Sequence, residues 1–336
     1  MNTITETSQT KRVGGTGSET LKNTIAPDNL RQTKLALRGG SGAIPALGFG
    51  TLIPDPIATK NATRAALDAG FRALDTAERY RTEKEVGEAM KEVFEAGKIK
   101  RKDVFVATKL WNTNHRPERV KPAFEASLEK LQLDYLDLYL IHTPFAFQPG
   151  DEQDPRDANG KVIYDQGVKL LDTWGMLEEL VQEGKCKAIG LSDIGLEKVK
   201  EIFEAATIKP AVVHVETHPY LPEWELLDYC RKNGIVLQAF APLGHNSAPN
   251  LLADPVITAI ARRVGKTPAQ VALAWAIQRG TALLTTSKNP SRIKENFDVS
   301  TLPEDAMREI NEGITLRMRF NPVVETGVPG FIPRKK

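Results

Sequence analysis

Cysteine is nearly missing from this chain, with Cys186 and Cys230 the only two among 336 residues. They lie far apart and in neither a CxxC nor a metal-ligand spacing. That excludes a disulfide framework, argues against a zinc site and suits a reducing compartment, so a cytoplasmic protein is expected. Long apolar runs are missing too: none reaches the roughly eighteen residues a membrane helix needs, and no membrane partner is expected. Charge of one sign is not in excess. Forty-five Lys and Arg against 43 Asp and Glu leave a net +2 with no basic tract, which gives no reason to expect nucleic acid or an anionic surface as partner. A small-molecule partner and a monomer are the expectation. Also absent are a GxGxxG fingerprint after the first strand and an HxH pair at any strand end, which disfavours a Rossmann dinucleotide site and makes a metal-dependent hydrolase a distant reading.

With 41% hydrophobic and 26% charged residues, the chain has the makings of a large core, either two ordinary domains or one barrel. Residues 1–34 are rich in Ser, Thr, Asn and Gly and lack an apolar signal region. They read as a disordered tail; Lys11, Arg12 and Lys22 leave a mitochondrial presequence open, although Glu6 and Glu19 interrupt it. From residue 35 the pattern turns regular. KLALRGGSGAIPAL signals an N-terminal β-hairpin. LGFGT, FRALD, DVFVATKL, LDLYLIH, CKAIGLS, VVHVET, IVLQAFA and ALLTTS then read as eight strands alternating with helical stripes. One such stripe is Ala62, Ala65, Ala66 and Ala69, closed by Gly70; another opens on the Thr267-Pro268-Ala269-Gln270 capping box. Trp174, Met176, Leu177 and Leu180 read as the packed side of a further helix.

Eight such units predict an α/β fold, an eight-stranded parallel βα (TIM) barrel over residues 35–320, with 321–336 a C-terminal tail near the substrate pocket. An open doubly wound sheet is the alternative. The long Pro-, Asp- and Gly-rich segment after the fourth strand reads as a binding or lid loop.

Barrel enzymes build their sites at the C-terminal strand ends. The polar residues there are Asp75, Lys109, His142, Ser192, Asp193 and Ser287, with Tyr80 five residues beyond Asp75. A free tyrosine has a pKa of about 10, and a neighbouring ammonium stabilises its phenolate and brings that value down. Lys109 supplies the ammonium, Asp75 orients it, and His142 donates to a substrate oxygen, together polarising a carbonyl. No activated Ser or Cys is evident, so the nucleophile is expected to be a hydride from a cofactor.

The segments GFRALDTAERYRTEKEVG, VATKLW, DLYLIHTP, LLDTWGMLEELVQEGKCKAIGLSD, VETHPYLPEWELLDYC, APLG and SKNPSRIKEN resemble the aldo-keto reductase family over roughly residues 35–320. The resemblance implies a catalytic tetrad of Asp75, Tyr80, Lys109 and His142, with Tyr80 the general acid in NADPH-dependent reduction of an aldehyde or ketone, NADH being possible. It implies cofactor contacts at Thr51, Asp75, Ser192, Asp193, His214, Phe240, Pro242, Leu243, Ser287, Lys288, Arg292, Glu295 and Asn296. It implies substrate contacts at Leu52, Tyr80, Trp111, His142 and Thr143. The chain departs from the family where Asn and Gln usually hold the nicotinamide carboxamide; Asp193 and His214 stand there. Phe240 replaces the usual stacking Tyr, and Thr286 a Lys. Leu52 and Thr143 replace Trp, implying a wider pocket for a bulkier carbonyl, with Trp111 as its main wall. Relatives that reduce a steroid carbon–carbon double bond carry Glu in place of the His kept here. A cofactor-binding regulatory subunit of the same fold is the alternative function.

Overall fold

The computed structural model describes residues 29–321. A two-stranded antiparallel hairpin, β1 (Lys34–Ala36) and β2 (Ala43–Pro45), precedes a closed barrel of eight parallel strands. These are β3 (Leu47–Gly50), β4 (Ala73–Asp75), β5 (Phe105–Leu110), β6 (Leu138–Ile141), β7 (Ile189–Ser192), β8 (Val212–Glu216), β9 (Val236–Phe240) and β10 (Ala282–Thr285). The barrel closes where β10 pairs with both β9 and β3, Leu283 opposite Ala239 and Leu47. All eight strands fall in the segments their sequence pattern predicts. The strand residues from β3 to β9 are almost wholly buried, as expected of parallel strands covered on both faces.

The outer ring comprises α1 (Pro56–Ala69), α2 (Glu83–Glu95), α3 (Pro117–Leu131), α4 (Leu170–Gln182), α5 (Leu196–Ala205), α6 (Trp224–Lys232), α7 (Pro255–Val264), α8 (Pro268–Gln278), α9 (Pro290–Phe297) and α10 (Glu304–Gly313). Gly70 ends α1 with φ of 116°, a left-handed cap where side chains are strained. Thr267 and Gln270 form the expected reciprocal cap of α8. Helices α7 and α10 are additions to the simple alternation. The former is announced only by an Asp254-Pro255 start and an apolar stripe of Ile257, Ile260 and Ala261, all buried. Trp174, Leu177 and Leu180 are buried, and Met176 packs on the core from its edge.

Regular structure is present before residue 35. Leu30–Gln32 forms a short 3-10 turn with Leu30 fully buried, so an apolar side chain anchors a segment that composition alone assigns to the tail. The rest of that tail, residues 1–28, and residues 322–336 lie outside the described residues. Phe49 of β3, Phe71 and Phe297 of α9 meet in series, edge-on and tilted, with centroids 5.7 and 4.9 Å apart. Full burial of Phe49 and Phe71 contributes about 1.5–3 kcal/mol each, and the half-buried Phe297 ties barrel wall to outer helix. No helix among the described residues is long and apolar enough to cross a membrane.

Candidate active site at the barrel mouth

Lys109 is the central group. As the fifth residue of β5 its side chain is buried to 1% exposure, which requires compensation for a charge. Its Nζ donates to Asp75 Oδ1 at 2.5 Å, to the carbonyl of Thr76 at 2.8 Å and to the Tyr80 hydroxyl at 3.2 Å. Asp75 ends β4 directly opposite Ala107 of β5, two residues before Lys109 and on the same strand face as it, so parallel pairing brings acid and amine together. Tyr80 reaches them from the 3-10 turn Glu78–Tyr80. Burial alone would lower the Lys109 pKa, but Asp75 and then Tyr80 outweigh it and hold the value raised. The ammonium is therefore kept charged.

Tyr80 behaves differently from the sequence-based expectation. Burial raises its pKa, Lys109 opposes that, and Asp75 and Asp193 add to it; the net direction is upward. Desolvation of a phenolate outweighs one cation that is itself neutralised by Asp75. The group is thus a neutral O–H donor in the free protein, with Lys109 placed to stabilise the phenolate once its proton leaves.

His142 follows β6, and its ring meets those of Tyr80 and Trp111 edge-on at 5.8 and 5.1 Å. Burial, and then Lys109, push its pKa well below the usual imidazole range, so it is neutral. Nδ1 is buried and has no hydrogen-bond partner among the described residues. A proton there would be an unsatisfied buried donor, which favours the tautomer protonated on Nε2. The mouth thus offers two neutral donors beside a held cation.

These groups line a cavity of about 170 Å³ together with Gly50, Thr51, Leu52, Ser192, Asp193, His214, Phe240, Ala241, His245, Leu284, Thr286 and Asn321. Leu52 is 54% exposed at its rim. Phe240 and His214 lie ring on ring at 5.3 Å and 25°. Of the expected positions, Trp111, Thr143, Pro242, Leu243, Ser287, Lys288, Arg292, Glu295 and Asn296 lie outside that lining. Trp111 sits behind it, its Nε1 donating to the Gln153 carbonyl and its ring covered by Arg79. Thr143 is buried, donating to Asn112 Oδ1. Ser287 accepts from the Asn289 amide in the loop before α9, and Thr286, bonded to the Gly50 carbonyl, forms the wall instead. Trp111 and Thr143 are therefore supports of the cavity, since the loop after β6 covers the one and a side-chain amide holds the other.

Around the start of α9, Asn289 caps the helix by accepting from the Ser291 and Arg292 amides. Lys288 and Arg292 are exposed, and no acidic partner is paired with either among the described residues. Asn296 is buried and donates to Thr285 Oγ1, while the Glu295 carbonyl accepts from Gln270. Pro242 and Leu243 follow Phe240 at the end of β9, Pro242 buried and Leu243 packed on the core.

Sequence reasoning missed Gln238, His245 and Asn321. Gln238 had a signal: it is the polar residue of IVLQAFA, two positions before Phe240 and so on the same strand face. His218, assigned no role, is fully buried and held by Glu216 at 2.8 Å. Among the described residues no group of three His, Cys, Asp or Glu side chains is arranged to hold a metal ion.

A family model described as the aldo/keto reductase family matches residues 47–314. Aldo-keto reductase family 1 member A1 of Mus musculus is 43% identical over 273 residues, 78% of this chain and 84% of the relative. Dihydrodiol dehydrogenase 3 of Bos taurus is 43% identical over 297 residues, 84% of this chain and 91% of the relative. Among solved structures, the aldose reductase from Schistosoma japonicum superposes with a TM-score of 0.83 at 39% identity, covering 88% of this chain and 96% of its own.

Proposed function

The chain belongs to the aldo/keto reductase family, and from that premise we propose that Tyr80, Lys109, Asp75 and His142 are the catalytic groups of an NADPH-dependent reductase. It is an oxidoreductase that reduces an aldehyde or ketone to an alcohol. The observation that carries the assignment of roles is the contact of Lys109 with both Asp75 and Tyr80 in a buried mouth.

Tyr80 donates the proton to the carbonyl oxygen as charge develops on it, and Lys109 stabilises the phenolate left behind. Asp75 keeps Lys109 charged and aimed. His142, neutral, donates through Nε2–H to the same oxygen. Reduced nicotinamide, when bound, supplies the hydride. The cavity fits a flat aromatic amide: Phe240 presents a ring, and beside it stand Asp193 and His214, a carboxyl oxygen of the one and a ring nitrogen of the other having no partner among the described residues. Thr51 and Ser192 line the same wall.

For the rest of the dinucleotide, Pro242 and Leu243 continue the surface beyond Phe240. Ser287, Lys288 and Arg292 gather at the start of α9, and Glu295 and Asn296 lie further along it towards the adenine. The charges of Lys288 and Arg292 at a helix N-terminus, without an acidic partner among the described residues, support NADPH over NADH. The exposed Leu52 supports a bulkier carbonyl, with Trp111 and Thr143 bracing the substrate wall. The two buried free cysteines fit a cytoplasmic enzyme, which we take to act as a monomer. A panel of carbonyls of increasing bulk, followed by loss of NADPH absorbance, tests this reading. Turnover of none of them would count against it.

A further inference from the structure

On β7, β8 and β9 three side chains meet that the catalytic groups do not use. Asp193, just past the end of β7, has its amide donating to the His214 carbonyl at 2.9 Å. His214 is in register with Gln238 across β8 and β9, and its Nδ1 lies 2.7 Å from Gln238 Oε1. An amide oxygen only accepts, so that contact requires Nδ1–H and leaves His214 Nε2 as a lone-pair acceptor on the cavity wall. Asp193 is held at φ of 54°, and its Oδ1 is buried with no hydrogen-bond partner among the described residues. A primary carboxamide presents a carbonyl acceptor and an NH₂ donor side by side. An acceptor is ready in His214; a donor exists at Asp193 only in its acid form.

Resting on the reading of this cavity as the nicotinamide site, we propose that Gln238 is a positioning residue that fixes His214 as an acceptor, so that Asp193 and His214 grip a carboxamide only while the Asp193 carboxyl carries its proton. The groups facing Asp193 are Arg319 of the C-terminal segment, Glu216 of β8 and Tyr80 of the loop after β4, with Lys109, His142 and His245 elsewhere on the cavity lining. Burial raises the Asp193 pKa to about 7, Arg319 lowering it and Glu216 adding to the rise. Burial brings that of His214 down to about 4, so the imidazole stays neutral while Asp193 titrates. Cofactor affinity is thereby coupled to pH near neutrality.

The test is NADPH binding followed by protein-fluorescence quenching at pH 6.5, 7.5 and 8.5 and constant ionic strength. Wild type should weaken by about twentyfold across that span, as a site needing the acid form of a group titrating near 7 must. D193N, which donates at every pH, should change by less than about twofold. The cofactor's own phosphate titrates alike in both and cancels in the comparison. Q238L should lose the preference for NADPH over its 3-acetylpyridine analogue, which keeps a carbonyl but has no NH₂. H214Q/Q238L should regain it, because an amide oxygen accepts without help from position 238. Parallel pH dependence in wild type and D193N overturns the proposal while leaving the nicotinamide site standing, and so does full discrimination by Q238L. Failure of wild type to bind NADPH at any pH overturns both readings. If Q238L does not fold, the D193N comparison alone decides.

Discussion

Lys109 Nζ lies 2.5 Å from Asp75 Oδ1, an ion pair with both side chains almost fully excluded from solvent. Breaking such a pair from one side leaves an uncompensated buried charge, which is costly in itself. Asp75→Asn should therefore lower stability as well as kcat, by about 3–5 kcal/mol if no water or anion enters. Denaturant unfolding of the purified variant, beside its steady-state kinetics, checks both; a variant equal to wild type in both would remove Asp75 from its assigned role.

Tyr80→Phe keeps the ring and deletes the proton donor. Its kcat should fall by roughly 10²–10⁴-fold, the usual scale of general acid catalysis, with the NADPH Kd nearly unchanged. Lys109→Met should reduce kcat similarly and alter whatever pH profile remains. Carbonyl turnover by Tyr80→Phe near the wild-type rate would show that the donor lies elsewhere.

Tyr80 and the neutral His142 both lie beside Lys109 and can donate to one oxygen, which draws hydride to a carbonyl carbon. An α,β-unsaturated ketone should therefore give the allylic alcohol. NMR of the product decides it: a saturated ketone would overturn the role given to His142 in directing hydride to the carbonyl carbon.

Arg292 is exposed at the start of α9 and has no ion pair among the described residues. Arg292→Ala should weaken NADPH binding by about 1.5–3 kcal/mol, the scale of a charged hydrogen bond, and NADH binding little. Titrating both cofactors against both proteins measures this. Equal losses, or a wild type preferring NADH, would mean that this cation does not read the 2′-phosphate.

Glu216 is buried at the end of β8, where it accepts from His218 and from the Phe320 and Asn321 amides at 2.7 and 2.9 Å. Burial would raise its pKa, but His218 and these amides more than offset that and lower it. A carboxyl lowered on folding contributes stability above its unfolded pKa and loses it as pH falls through the folded value. Glu216→Gln should cost about 1–3 kcal/mol at pH 7 and less at pH 4. Thermal midpoints of the two proteins at both pH values test the sign; a gap that widened in acid would contradict it.

The period-2 and period-3.6 patterns, together with caps such as Thr267 and Gln270, were legible because they depend on neighbours in the chain. They determined eight strands, most of the helices and the hairpin, and pointed to a parallel barrel; that the sheet closes and is not open and doubly wound was decided by β10 pairing with both β9 and β3. The barrel in turn made the strand ends Asp75, Lys109 and His142 readable as one mouth, since parallel strands bring their C-terminal ends to the same face. What the linear pattern left open depended on contacts between distant segments. Trp111 was legible as a large aromatic near the site, but only the loop carrying Gln153 covers it and withdraws it from the cavity. The direction of the Tyr80 pKa needed the balance of burial against a Lys109 already neutralised by Asp75, and that balance is a property of three-dimensional packing. Gln238 gained meaning only when β8 and β9 came into register and set it against His214.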